Sequence, residues 1–262
     1  MTSMAKMLIV HHLPDCNDLP ALERWFWKYH CPEVLQQAPW MSRYVMYRAV
    51  SAPPGAEAYG YYNYRVHENW VYSSQERRGS NGCLSMTPQP APMQVIVAHI
   101  PAEPTDDFLG ADMRYGEKTI LRWVTVFRYP EEISPEEGDE WYLNVHVPQV
   151  MKQPGLIRFF SHKAIHSNQQ RSPLPHSTKL KPFFTDSGPL FFKRWHRVSE
   201  LWYEDSKGWF ESIIKSPPCY TKPAWAKQEK YPFLVPGNEF ISTFLLERPD
   251  QDMLRNYEPS YL

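Results

Sequence analysis

The strongest constraint on this chain is that its fold is written twice. Trp25, His30, Pro32 and Val34 recur as Trp141, His146, Pro148 and Val150, each 116 residues further on. The same offset relates Pro14 to Pro130 and Gln37 to Gln153, and a one-residue slip then aligns Pro39 with Pro154 and Arg43 with Arg158. Scarce residues do not fall into register over such a span by accident, so each half is one structural unit. In each, a short β-type run (Met7–His12; Leu121–Tyr129) ends at a proline and precedes a helix, from about Pro20 to Gln37 and from about Pro135 to Gln153. A second strand follows (Ser42–Ala49; Ile157–Ile165), then a third (Tyr59–Arg65; His196–Tyr203). A short helix comes next, with Trp70 matching Trp209, and a last strand closes each half (Met93–Ile100; Phe240–Leu246).

The predicted fold class is therefore α+β: two fused ferredoxin-like βαββαβ halves forming a pseudo-dimeric α+β barrel. The halves are expected at 1–110 and 111–262, with the polar stretch Ala102–Glu117 as joint and a long inserted loop at about 167–193, a lid or dimer arm. A four-stranded sheet with helices on one face leaves the other bare, and two halves can cover each other there.

Composition narrows the function. With 28 basic and 29 acidic residues, and no long run of either sign, nucleic acid is not an expected partner. No apolar run approaches a membrane span, and Met1–Val10 does not resemble a signal peptide. Four cysteines without a CxxC pair suit a reduced, cytoplasmic protein. Aromatics make up 15% of the chain, which suits a flat apolar ligand as well as it suits a core or a homodimer interface.

Trp25-Phe26 and Trp141-Tyr142, each followed by His-x-Pro and then a valine, with a later proline and an arginine on a strand, resemble the EthD-like branch of the dimeric α+β barrel superfamily. The second half is closer, through His146-Val147-Pro148 and Gln153-Pro154-Gly155-Leu156-Ile157-Arg158-Phe159, whereas the first has Ala38-Pro39-Trp40 in place of Pro-Gly-Leu. The resemblance implies the barrel. It leaves the reaction open, because similar architectures serve cyclases, isomerases, cofactor-free monooxygenases and haem enzymes.

His30 and His146 are the leading catalytic candidates. Each falls on an apolar helix stripe two residues before a proline that cannot donate to the carbonyl four residues back, so a kink toward the cavity is expected. His11 is third: its strand face, shared with the level of Thr125 and Phe127, is expected to look into the barrel, with the aliphatic face of Leu8, Val10, Val124 and Val126 under the helix. Substrate-binding candidates are Trp25, Trp27, Trp141, Tyr61 (aligned here with Glu200), Arg43, Arg158, Glu200 and His196, the last two about 13 Å apart along one strand face. No metal-ligand spacing, nucleotide loop or nucleophile elbow is present. The expectation is a cofactor-independent lyase or isomerase using His acid/base chemistry on a small aromatic or conjugated molecule. A non-catalytic carrier of an aromatic ligand and a haem protein remain open beside it.

Overall fold

The apolar run at the head of each repeat becomes a central strand of one of two antiparallel sheets. The computed structural model describes residues 4–38, 41–72, 86–113, 120–166, 193–215 and 219–254. The first sheet holds β1 (Met4–His12), β2 (Met41–Arg48), β3 (Arg65–Tyr72), β4 (Gln94–Pro101) and the short β10 (Gln251–Asp252), in the order β10-β2-β3-β1-β4. The second holds β5 (Asp106–Leu109), β6 (Leu121–Phe127), β7 (Leu156–Lys163), β8 (Arg197–Tyr203) and β9 (Phe240–Leu246), in the order β5-β7-β8-β6-β9. Without the edge additions, both follow the ferredoxin-like order, so the fold is the expected pair of α+β halves. Among the described residues, no helix is long and apolar enough to cross a membrane.

The long helix of each repeat has three parts. α1 (Leu19–Trp25) passes through a π-helical turn (Phe26–His30) into α2 (Cys31–Gln37). α3 (Pro135–Trp141) passes through the same kind of turn (Tyr142–His146) into α4 (Val147–Val150). The Cys31 N–H reaches back to the Phe26 carbonyl and the Val147 N–H to that of Tyr142, five residues each. An extra residue in the turn takes up the misfit of Pro32 and Pro148, so the expected kink is instead a bulge placed at His30 and His146. α5 (Ser206–Phe210) carries Trp209 as expected.

Both sheets bury both faces. The faces turned toward each other carry Leu8, Val10, Ile96, Ala98, Val124, Val126, Val198 and Ile241, an aliphatic core between the halves. The faces turned toward the helices carry two aromatic clusters, one around Phe26 and Tyr44 and another around Trp123, Tyr142, Trp209 and Phe244, while Tyr47, Trp70, Phe160 and Trp202 lie between the sheets. This reverses the expected facing of the first strand: His11 and Phe127 lie under the helices, and Leu8 and Val10 lie inside the barrel. Two sheets that pack face to face need closely meshing β-branched and aliphatic side chains, whereas the gap under a helix admits rings.

The joint between repeats is not a plain linker. After β4 the chain crosses to the other sheet as β5 and pairs with β7; after β9 it crosses back as β10 and pairs with β2. Each crossing brings an aspartate to a buried arginine of the opposite half. Arg65 holds Glu23 of its own helix at 2.7 Å and Asp250 of the returning arm at 3.4 Å. Arg197 holds Asp139 and Asp106, both at 2.7 Å. The halves are thus laced together by two equivalent three-way ion pairs.

The third strand begins at Arg65 rather than Tyr59, and Trp70 lies in β3, not on a helix. The correct alignment runs Arg65-Val66-x-Glu68-x-Trp70 onto Arg197-Val198-x-Glu200-x-Trp202, so Glu68 and not Tyr61 is the counterpart of Glu200. Most of the inserted loop expected at about 167–193, together with Phe183, Phe184, Phe191, Phe192, Tyr257 and Tyr261, lies outside the described residues.

Candidate functional site

The bulge at Phe26–His30 sets the His30 ring between the Trp25 and Phe26 rings, each with its centroid 4.7 Å away. Beneath it, the helix-facing side of the first sheet contributes His11 from β1 and His67 from β3, whose ring centroids are 4.7 Å apart. His67 lies 6.4 Å from His30 and shares a hydrogen bond of 3.2 Å with the Tyr44 hydroxyl. His11 donates from Nδ1 to the Arg65 carbonyl at 3.3 Å, which leaves its Nε2 with a lone pair. Three imidazoles thus converge around Phe26 in one compartment between helix and sheet. His30 Nδ1, His67 Nε2 and the Tyr64 hydroxyl are buried there with no hydrogen-bond partner.

Burial keeps all three rings neutral. It drives His11 to about 3, helped by His30, and His30 to about 4 against the pull of Glu33. His67 is pushed well below its ordinary value by burial, then by His11, His30 and Arg65. The Tyr44 phenol is held protonated, mainly by burial. The Arg65 guanidinium lies beside the cluster, over Phe26 at 5.7 Å and Tyr64 at 5.4 Å, with its charge already met by Glu23 and Asp250.

The equivalent compartment of the second half has diverged. His146 occupies the bulge, stacked on Trp141 at 5.0 Å and on Tyr231 at 5.4 Å, with Nδ1 unpartnered and burial lowering it to about 3. Phe127 stands at the level of His11 and Ser199 at that of His67. Tyr231, Pro232 and Leu234 line the compartment, and the cavity beside His146, also lined by Phe127, Tyr142 and Phe159, measures about 20 Å³. That is room for a water molecule, not for an aromatic substrate.

The sequence candidates therefore do not share one barrel cavity. His30, His11 and Trp25 meet in the first compartment, and His146 and Trp141 in the second. Trp27 lies over Arg65 with its Nε1 donating to Glu23, and Tyr61 donates to the Val50 carbonyl at 2.6 Å. His196 precedes β8, accepts the Tyr129 N–H at 2.9 Å and stacks on that ring, so it does not flank a ligand with Glu200. Arg43, Arg158 and Glu200 line a third space, a cleft of about 800 Å³ between the sheets. There Arg43 already binds Asp252 at 2.8 Å, and Arg158 holds Asp107, so the carboxylate anchors expected of both arginines are taken up internally. Sequence reading missed His67, Tyr44 and Tyr64. The signal for His67 was the RVxExW repeat, which fixes the β3 register and puts that histidine on the face of His11. Among the described residues, no group of three His, Cys, Asp or Glu side chains is arranged to hold a metal ion.

The half with the histidine cluster is also the half that comparison picks out. Residues 2–97 match the chalcone isomerase N-terminal domain family. The match ends within β4 and leaves the second half outside it. A solved structure described as an anthrone oxidase-like protein aligns over 96% of this chain and 93% of its own, at 8% identity and a TM-score of 0.49. A candidate monooxygenase from Lactobacillus acidophilus NCFM aligns over 95% and 96%, at 10% identity and a TM-score of 0.33. No curated protein matches.

Proposed function

We propose that the first half carries an isomerase-type active site that moves a proton within a conjugated aromatic substrate of the chalcone kind. The observation behind this reading is the convergence of His11, His30 and His67, with two free ring nitrogens, in the half that matches the family, against one histidine in the other. His30 is the general base. Its ring is half-buried and its unpartnered Nδ1 takes a proton from an acidic hydroxyl or carbon of the substrate. In a chalcone the electron pair freed on the hydroxyl oxygen forms a C–O bond to the enone β-carbon, and the C=C electrons move onto the α-carbon and carbonyl as an enolate. The proton returns at another carbon from His30, or from Tyr44 through its bond to His67, so nothing is gained or lost overall. Trp25 and Phe26 wall the site with apolar rings and strengthen these charges by excluding water.

The second half supports the first without reacting. Its bulge histidine lies beside a cavity too small for an aromatic substrate, so His146→Gln leaves turnover unchanged; a loss equal to that of a first-half substitution would reject the assignment of halves.

The direct test follows the loss of conjugated absorption when the purified protein is mixed with a chalcone. The rate is expected to be level from neutral pH downward and to fall only as pH approaches 4, where His30 takes up a proton. An anionic intermediate beside the imidazole raises its proton affinity in the complex, so the limb for kcat lies above that for kcat/KM. No turnover, or an acid limb at an ordinary imidazole value, would overturn the reading.

A further inference from the structure

The cleft between the sheets carries a duplicated polar set in which one copy is complete and the other is not. In the second half, Arg122 binds Glu200 at 2.9 Å and the Trp202 indole N–H also donates to Glu200, at 3.0 Å. Every member is partnered. The equivalent residues of the first half are Lys6, Glu68 and Trp70. There the Lys6 ammonium meets Glu68 only at 3.6 Å, and the Trp70 indole N–H has no partner. Across the cleft His162, almost fully buried, donates from Nδ1 to the Glu103 carbonyl at 3.1 Å, so its Nε2 bears a lone pair, and that atom has no partner either. Buried polar atoms are seldom left unpaired without a reason.

These three groups define a ligand. Lys6 and Trp70 call for acceptor oxygens; His162 Nε2 calls for a donor. The charged side chains that line the cleft balance, with Lys6, Arg43, Arg122, Arg158 and Arg248 facing Glu68, Glu103, Asp107, Glu200 and Glu247. A charged ligand would leave one buried charge uncompensated. Hydroxyl groups offer donor and acceptor together at no net charge. The cleft volume of about 800 Å³ lies within the range of small-molecule sites. Lys6 and Arg43 lie over the Trp70 ring at 5.3 and 5.6 Å, so entry displaces long flexible side chains rather than backbone. We propose that this cleft is a second ligand site, separate from the histidine compartment, taking a small uncharged polyhydroxylated molecule such as a sugar, bound by Lys6, Trp70 and His162.

The test is a titration of ¹⁵N-labelled full-length protein with glucose, reading the indole N–H resonances. The Trp70 signal, assigned by its loss in Trp70→Phe, is expected to shift saturably. The shift should vanish in Lys6→Met, vanish in His162→Phe, and persist in His30→Gln, which separates this site from the proposed isomerase centre. Three results would overturn the proposal. The first is that no indole signal moves in the wild-type protein, a result that needs no variant to fold. The second is a shift that survives both Lys6→Met and His162→Phe. The third is a shift produced more readily by lactate, which would make the ligand an acid.

Discussion

Replacing His30 with glutamine is expected to slow turnover of a chalcone by about 10²–10⁴-fold, the usual contribution of a positioned acid/base group. The substitution is chosen for what it keeps. Glutamine still presents a hydrogen-bonding group between Trp25 and Phe26, but its amide cannot exchange a proton at neutral pH. The effect should fall on kcat with little change in KM, because the apolar walls that hold the substrate remain. His30 is half-buried at the helix bulge and makes ring contacts rather than a network of hydrogen bonds, so thermal stability should change little. A His30→Gln enzyme with wild-type kcat would remove His30 from the mechanism. Full activity in that variant, lost in His67→Gln, would move the base one ring deeper, to the histidine hydrogen-bonded to Tyr44.

A larger effect on stability is expected at the centre of the barrel. Arg122 is the cation that serves both Glu200 and Glu68, at 2.9 and 3.7 Å, and all three are buried, at 4%, 2% and 4% exposure. Arg122→Met keeps the apolar stem and removes the charge, its hydrogen bond to Glu200 and the guanidinium that lies over the Tyr47 and Trp202 rings at 4.7 and 5.5 Å. Two buried carboxylates then share the single ammonium of Lys6. Breaking a buried pair in this way costs about 3–5 kcal/mol, readable as a fall in the urea midpoint at neutral pH. The pH dependence separates this cause from a packing defect. Burial alone pushes Glu200 up; Arg122 first, then Lys6 and the Trp202 indole, outweigh it and hold the group below its ordinary value of 4.5. In the wild type, Glu200 therefore adds stability above its ordinary value and loses that contribution as pH falls through the depressed one. In the variant the main lowering influence is gone, so burial dominates and the folded-state value rises. Its penalty is then full at neutral pH and is relieved as the carboxyl takes up a proton on the acid side. The gap between the two proteins should be widest near neutrality and should close toward acid pH. A gap that stays constant with pH would mean lost packing, and the ion pair would not be what holds this part of the barrel.

Much of this architecture is legible in the residue order. The offset shared by Trp25, His30, Pro32 and Val34 with their later copies locates two halves, their helices and the two bulge histidines, because a duplicated gene keeps rare residues in register long after the rest has drifted. Strand β9 and the tryptophan of α5 were likewise readable, since alternation and flanking prolines are local signals. The site was readable only in part. His11 and His30 were singled out, but His67 was hidden by a third strand placed six residues too early, which also mismatched Tyr61 with Glu200. The third-strand motif repeats at a spacing 16 residues longer than the first, so an insertion between the strands breaks the single offset on which the alignment rested.

The residue order by itself determined the two α+β halves, the alternation of each strand and the place of a proline-induced distortion beside each helix histidine. These follow from short-range sterics and periodicity, which the chain carries wherever it goes. Only the tertiary structure decided which face of each strand looks at a helix and which at the other sheet. Alternation defines two faces but does not say what will cover them, and the choice depends on how two whole sheets mesh. The same is true of the crossing strands β5 and β10. Their hydrogen bonds and the ion pairs of Asp106 and Asp250 are made with the opposite half, and such partners exist only once both halves have folded together.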